Sequence, residues 1–399
     1  MSRKTGLWFI GAKGGVSTTA AVGVAALKAN ANHCGLVSEL PEFAGLDLVD
    51  WSDIALGGHD IRGTDAVEEA KALAAGFPPV VSPAMVEASL PDLQAYQNAI
   101  RPGVLFNCGT SIDDLADSDF CVKPNTAREA IELFQADLKS FQKDNDCENV
   151  VMINLASTEP GCDASQFAES WNELDGLMEQ EDCALPASSL YAIAALDLKM
   201  PFVNFTPSVG NGLPALNQLA EERGVCHMGS DGKTGETFLK SVLAPGFAKR
   251  NLQIMSWVGH NIFGNMDGKI LDDPTNKETK VASKGKMLEH MLGYQPQSHI
   301  SIEYIESLGD WKTAWDHIHF QGFLGTPMTM QFTWQGCDSI LAAPLVLDLF
   351  RFVEFAQRSG KSGLLTFLSS FFKSPLGTDV HDFSVQFQDL VDWANAQQA

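Results

Sequence analysis

No run of about 18 apolar residues occurs anywhere in this chain of 399 residues, so nothing in it reads as a helical membrane span. The opening MSRKTGLWFIGAKGG offers only the apolar run LWFI before Gly and Lys, too short for a signal peptide. Eight cysteines, at 34, 108, 121, 147, 162, 183, 226 and 337, include no CxxC pair and no Cys/His cluster at metal spacing. They read as reduced thiols of a cytoplasmic protein without a metal centre. Basic residues are scarce, 27 against 50 acids, giving a formal charge of −23. With a pI near 4.6, the chain lacks the broad basic surface that nucleic-acid phosphates require. There is no GxSxG, so a serine hydrolase has no support. His317 and His319 alternate in DHIHF without a third ligand and are expected to be structural. Repeats, low-complexity tracts and flexible linkers are missing as well.

What is present is an ordinary globular mixture, 45% hydrophobic, long enough for two or three domains. Leu7–Ile10 reads as a short apolar strand, Gly11–Thr19 as a Gly-rich turn and Ala20–Lys28 as a helix. A second strand is expected at about Cys34–Ser38, which would complete a βαβ unit. VVMINL at Val150–Leu155 is the continuous apolar run of a strand buried on both faces. Pro201–Phe205 and Val225–Met228 look like two more strands, separated by helical Leu213–Arg223. From Ser298 onward the pattern becomes alternating. Met328, Met330, Phe332 and Trp334 interleave with Thr329, Gln331, Thr333 and Gln335, as in a half-buried antiparallel strand. Ile340–Phe355 returns to a long apolar helix, with Leu345–Phe355 as core. The expected architecture is α/β followed by a β-rich insert.

The turn KGGVSTT at Lys13–Thr19 resembles the phosphate loop of a partitioning-type ATPase, which needs a lysine directly before its Ser/Thr. Ser17 precedes Thr18 here, so that lysine is missing. The alternative is a dinucleotide turn, in which Gly11, Gly14 and Gly15 let the backbone approach a pyrophosphate at a helix N-terminus. The spacing is not GxGxxG, and a tight turn without ligand also fits.

A second local anomaly is a gathering of cations. DGKILDDPTNKETKVASKGK, residues 267–286, holds Lys269, Lys277, Lys280, Lys284 and Lys286. Lys280 and Lys284 are four apart, so on a helix their like charges meet. A phosphorylated small molecule between them would remove the conflict; a solvated lysine face is the other reading.

Several stretches together resemble the myo-inositol-1-phosphate synthase family. In order they are GSDGKTGETFLKSVLA (229–244), GHNIFGNMDG (259–268), TKVASKGKMLEHM (279–291), LGDWKTAWD (308–316), CDSILAAPLVLDLF (337–350) and FKSPL (372–376). Thinner matches lie further upstream, in GAKGGVSTTAAVGV, GHDI (58–61) and ASTE (156–159). The turn has Lys and Val-Ser where the family carries glycines and asparagines. The family's paired acids are here Ser230–Asp231 and Cys337–Asp338, its asparagine pair is Asn265–Met266, and Phe205 with Gly210–Gly212 alters a loop that is polar in the family.

The resemblance implies a Rossmann-type NAD-binding domain, residues 1–237 plus 342–399. It also implies an inserted α+β domain, residues 238–341, that carries catalysis and builds tetramers. The implied reaction is redox-neutral cyclisation of glucose 6-phosphate: oxidation at C5, enolisation at C6, aldol attack on C1 and re-reduction, with NAD and with a mono- or divalent cation left open. Carried over, Lys280, Lys284, Lys312 and Lys373 stabilise oxyanions or move protons, while Asp231, Asn265 and Asp267 orient them. The turn Gly11, Ala12, Lys13, Gly14, Gly15 and Val16, with Asp60, Ala156, Ser157, Thr158, Asp310 and Asp338, would hold the dinucleotide. Asp60 is expected at the adenosine ribose, with Glu39 as runner-up. Two other classes stay open: a related NAD-dependent enzyme for another phosphorylated sugar, and a non-catalytic NAD-binding protein.

Overall fold

The computed structural model describes residues 3–162, 166–180, 182–264 and 288–398. Its centre is β1, Thr5–Ile10, in which every residue is buried. Successive side chains of a strand point to opposite faces. Leu7 and Phe9 therefore enter one core with Ala20, Val24 and Phe350, while Trp8 and Ile10 enter another with Phe134, Leu138 and Tyr191. A strand covered on both faces belongs to a parallel sheet, and this one has eight strands. The others are β2 (Ile54–Asp60), β3 (Ile100–Val104), β4 (Cys121–Val122), β5 (Asn149–Asn154), β6 (Phe202–Asn204), β7 (Cys226–Gly229) and β12 (Gly363–Leu364). Their order is β12-β7-β6-β5-β1-β2-β3-β4, all pairs parallel. The chain steps outward from β1 in one direction and then restarts beside it with β5. That reversal leaves a crevice beyond the carboxyl ends of β1 and β5, the usual ligand position in such sheets.

The second strand is not at Cys34–Ser38. Those residues form a turn and the short 3-10 segment Val37–Glu39, because Asp348 takes the N–H groups of Val37 and Ser38 at 2.7 and 2.9 Å. Their backbone donors are thus satisfied without a neighbouring strand. The actual partner of β1 is IALGGHD, whose two glycines argue against a strand by propensity. Packing overrides propensity here. A Cβ on Gly57 would lie 2.7 Å from the Phe141 ring and 2.8 Å from Trp8, and one on Gly58 would lie 2.4 Å from the Phe9 carbonyl. The first helix, Gly15–Lys28, also begins inside the stretch read as turn.

The helix Gly235–Lys249 leads to a second sheet, ordered β11-β10-β8-β9. These strands are β8 (Gln253–Phe263), β9 (Gln297–Tyr304), β10 (Trp311–Gln321) and β11 (Pro327–Cys337). Its inner face, with Ile254, Trp257, Ile318, Phe320, Met330 and Phe332, packs on Ala244 and Phe247 of that helix. Its outer face carries Thr313, Trp315 and His317 on β10, paired across to Gln335, Thr333 and Gln331 on β11. β11 runs straight into the helix Asp338–Arg358, which returns to pack on Gly15–Lys28. The carboxyl end of β8 and the start of β10 are thereby brought over the β1/β5 crevice.

Candidate active site

A cavity of about 400 Å³ opens at that junction. One side is backbone. Gly11, at φ +79°, is placed so that a Cβ would lie 2.9 Å from Ala156 Cα, so the turns after β1 and β5 touch. Gly14 precedes the helix Gly15–Lys28 without any side-chain cap, leaving first-turn N–H groups for an anion. Gly11, Gly14, Gly15, Val16, Ala156, Ser157 and Thr158 all line the cavity. This glycine cradle at a helix N-terminus fits a dinucleotide pyrophosphate.

Asp60 ends β2 at the cavity wall, yet both its oxygens are engaged: one accepts the Lys13 N–H at 2.6 Å, the other the Arg62 N–H at 2.9 Å. Lys13 also lines the cavity, with its ammonium engaged by the protein. Its ammonium donates to the Arg62 carbonyl at 2.7 Å and sits 3.8 Å from the centroid of Phe120, and burial lowers its pKa. Arg62 returns a hydrogen bond to the Lys13 carbonyl. The pair clamps the turn at the cavity wall. Ala12 is fully buried beneath the turn, where its carbonyl accepts from Tyr96. Glu39 lies elsewhere, paired with Arg351 at 2.5 Å and His33 at 2.9 Å, and does not line the cavity.

The opposite side is made of charged side chains. After β7 the backbone turns at Asp231, φ 60°, a conformation that Asp tolerates better than most residues. Here segment 229–233 pairs with segment 371–376. Lys233 donates to the Phe371 carbonyl, Lys373 to the Asp231 carbonyl and Leu376 to the Gly229 carbonyl. This pairing brings the Lys373 ammonium to 2.9 Å from Asp231 Oδ1. Lys312, at the start of β10, lies 3.6 Å from Asp338 and 5.2 Å from the centroid of Phe263. Asp310 receives the Ser339 hydroxyl at 3.4 Å, and a Cβ on Gly15 would fall 2.6 Å from that hydroxyl oxygen. The residues that flank β10 and β11 thus lie directly against the dinucleotide turn. Asp231, Asp310, Lys312, Asp338 and Lys373 all line the cavity. Lys280, Lys284, Asn265 and Asp267 lie outside the described residues. Among the described residues, no group of three or more His, Cys, Asp or Glu is arranged to hold a metal.

Three lining residues were missed at the level of sequence. Glu159 is buried, with its carboxylate taking the Ser188 N–H at 2.9 Å and the Ser188 hydroxyl, and burial pushes its pKa up to about 7. Glu236, in the first turn of Gly235–Lys249, pairs with Lys240 at 2.5 Å. Asn261 of β8 donates to Glu236 at 2.9 Å while its own Oδ1 is buried without a hydrogen-bond partner. Each sits in a quoted motif, ASTE, GSDGKTGETFLKSVLA or GHNIFGNMDG. Only the tertiary arrangement distinguishes them from their neighbours.

Residues 5–395 match the model of an NAD-binding family described as myo-inositol-1-phosphate synthase. The chain belongs to that family. Inositol-3-phosphate synthase 1 of Bacteroides thetaiotaomicron is 32% identical over 96% of this chain and 91% of its own length. The protein of the same name from Rattus norvegicus is 28% identical over 84% of this chain, and the match spans 62% of the rat protein. Among solved structures, inositol-3-phosphate synthase of Caenorhabditis elegans superposes with a TM-score of 0.88 at 23% identity, covering 100% of this chain and 86% of that one. A myo-inositol-1-phosphate synthase-related protein of Thermotoga maritima gives 0.79 at 23% identity, covering 98% and 99%. These two likenesses establish the fold: a Rossmann-like dinucleotide domain joined to a second sheet. As a member of the synthase family the chain is an NAD-binding protein, consistent with the glycine cradle over β1 and β5.

Proposed function

We propose that the protein cyclises glucose 6-phosphate to an inositol phosphate without net redox change. The observation that carries this reading is one cavity in which a dinucleotide cradle faces two lysines, Lys312 and Lys373, each beside a carboxylate. NAD, when bound, supplies oxidation at C5 and its later reversal. The chain's own groups supply the rest. Cationic donors in a site shielded from water stabilise developing oxyanions at O5 and O1, the task we assign to Lys312 and Lys373. Asp231 and Asp338 would hold those ammonium groups in position. Because each of these two cations already has a partner acid, the phosphate's charge calls for further cations, the role we assign to Lys280 and Lys284. Asn265 and Asp267 would orient them. Asp310, held by Ser339 against Gly15, is suited to bridge the two sides of the cavity.

The division into residues 1–237 plus 342–399 and residues 238–341 is part of the same proposal, supported by the second sheet's span of 253–337. So is a homo-oligomer: the outer face of β10 and β11 carries Thr, Trp, His and Gln but no acid or Lys/Arg on a chain of charge −23, and charge depletion marks interface centres. Eight cysteines, none in a disulfide, support a reducing, cytoplasmic setting, and no helix among the described residues is long and apolar enough to cross a membrane.

The test uses glucose 6-phosphate deuterated at C5, with and without added mono- or divalent cations. Inositol phosphate that retains the label, with no NADH accumulating, is the expected result. Stoichiometric labelled NADH would identify a plain dehydrogenase and overturn the cyclase reading.

A further inference from the structure

Between the two sides of the cavity runs the loop after β6, residues 205–212, of which Phe205, Thr206, Pro207 and Ser208 line the wall. Towards the charged side this loop accepts backbone donors. The Asp231 N–H reaches the Thr206 carbonyl at 3.0 Å and the Gly232 N–H reaches the Phe205 carbonyl at 3.0 Å. The loop thus supports the segment that pairs with Lys373. Towards the dinucleotide side it is held by Glu159, which follows the cavity-lining Ala156, Ser157 and Thr158. The Glu159 N–H donates to the Ser208 hydroxyl at 3.0 Å. Its carboxylate accepts the Ser188 N–H at 2.9 Å, the Ser188 hydroxyl and the Ser208 hydroxyl. Ser188 in turn accepts the Gly210 N–H at 3.1 Å.

This arrangement suits one protonation state. Each serine oxygen takes a backbone N–H, so each hydroxyl hydrogen is directed at the carboxylate. Three donors converge on two oxygens, which an ionised carboxylate accommodates. A carboxylic acid brings a hydrogen of its own to the same place. One of the facing hydroxyls must then turn away into burial, where an unpaired donor is costly. Glu159 is 8% exposed, and all three of these donors are neutral. On the elements packed against it, the helix Ala187–Asp197 presents Tyr191 to the cavity, and the segment after β3 presents Cys108 with Asp113 beyond it. The loop 205–212 has no titratable residue. Burial pushes the Cys108 thiol up to about 12 and holds the Tyr191 phenol well above its usual value. Glu159 is the group that changes charge near neutrality, its pKa raised by burial to about 7.

We infer that Glu159 is a positioning residue: as a carboxylate it fastens the turn after β5 to the loop 205–212, holding the dinucleotide cradle in register with the Asp231–Lys373 pair, and protonation releases the two. It acts through Ser188 and Ser208 on the groups that meet the ligands. The part concerning NAD rests on the chain's membership of an NAD-binding family. The part concerning turnover rests on the cyclase reading.

The experiment is calorimetric titration with NAD between pH 6 and pH 8, for the parent and for Glu159→Gln, with kcat for glucose 6-phosphate at saturating NAD measured over the same range. The carboxylate fraction of a group with a pKa of about 7 changes about tenfold across that range. The parent's affinity for NAD should rise with pH by about that factor. The carboxamide of Glu159→Gln carries donors where the carboxylate offers acceptors, as the protonated acid does. This variant should therefore bind NAD at every pH as weakly as the parent does at pH 6. The kcat values should follow the same pattern, with a limb near pH 7 in the parent that the variant lacks. A structural role alone would lower the melting temperature without moving a pH profile. Parent NAD affinity that is flat from pH 6 to pH 8 overturns the inference, and this arm needs no variant to fold. A Glu159→Gln protein that keeps the parent's pH dependence overturns it as well. Absence of glucose 6-phosphate turnover at every pH removes the cyclase reading and leaves the NAD titration to decide this inference alone.

Discussion

The two sides of the cavity are built from different materials. The dinucleotide side is backbone: glycines, free N–H groups and a clamp of Lys13 and Arg62 that hydrogen-bond to each other's carbonyls. The opposite side is a set of opposed charges: Lys312 with Asp338, Lys373 with Asp231, Lys240 with Glu236. The first should tolerate changes of side chain and fail when an atom is added near the backbone. The second should tolerate changes of shape and fail when a charge is removed.

The largest effect is expected where chemistry depends on charge. Lys312→Met and Lys373→Met keep the apolar stems and remove the ammonium groups. Each should lower kcat by about 10²- to 10³-fold, the scale for losing one oxyanion-stabilising donor, while NAD titration by fluorescence remains as in the parent. A matching loss of NAD affinity would show that the sides are not separable. Next comes Gly11→Ala. A side chain at φ +79°, facing Ala156 at 2.9 Å, stores about 1–3 kcal/mol of strain. NAD affinity should fall about ten- to a hundredfold, with kcat at saturating NAD retained. Lys13→Met, two residues on, should leave NAD affinity close to the parent value, because its ammonium serves Arg62 and Phe120. If Lys13→Met proves as damaging as Gly11→Ala, the cradle reads charge after all.

The smallest effect concerns the scaffold beneath both sides. His227 of β7 is fully buried between Asn211 and Asn217, and burial lowers its pKa to about 4. The unfolded chain binds that proton near the ordinary 6.5, so between pH 6.5 and 4 the unfolded state holds more protons and stability falls as the solution is acidified. The loss should be about 1 kcal/mol at pH 5.5. Urea titrations of His227→Gln should lack this component of the pH dependence, with kcat unaltered. A variant as acid-sensitive as the parent would place the responsible group elsewhere.

This division also explains which parts could be read in advance. Strands β1 and β5 announced themselves because burial on both faces demands continuous apolar runs. β2 did not, since its Gly57 and Gly58 are dictated by the Phe141 and Trp8 rings and the Phe9 carbonyl, contacts remote in sequence. The lysines stood out as cations in an acidic chain with recognisable neighbours, and Lys312 and Lys373 do face the cavity. Glu236 and Asn261 did not stand out: an acid in the first turn of a helix reads as an ordinary dipole partner, and an asparagine in a strand has no periodic signature. Lys13 was legible as part of the turn, but the direction of its ammonium was not, because Phe120 lies on a distant loop.

The pairing of segment 229–233 with segment 371–376 has a consequence for how the protein is made. Lys373 is the last of the described site residues to leave the ribosome, and the Asp231 it joins waits through the synthesis of the entire second sheet. Strands β1 to β7 can be collected by the parallel sheet as they appear, in the N-to-C order in which domains generally fold during synthesis. The reaction centre cannot follow that order. A nascent chain halted after β7 and before residue 373 would carry the dinucleotide cradle without the Lys373 ammonium, so on the proposed mechanism cofactor capture can precede competence.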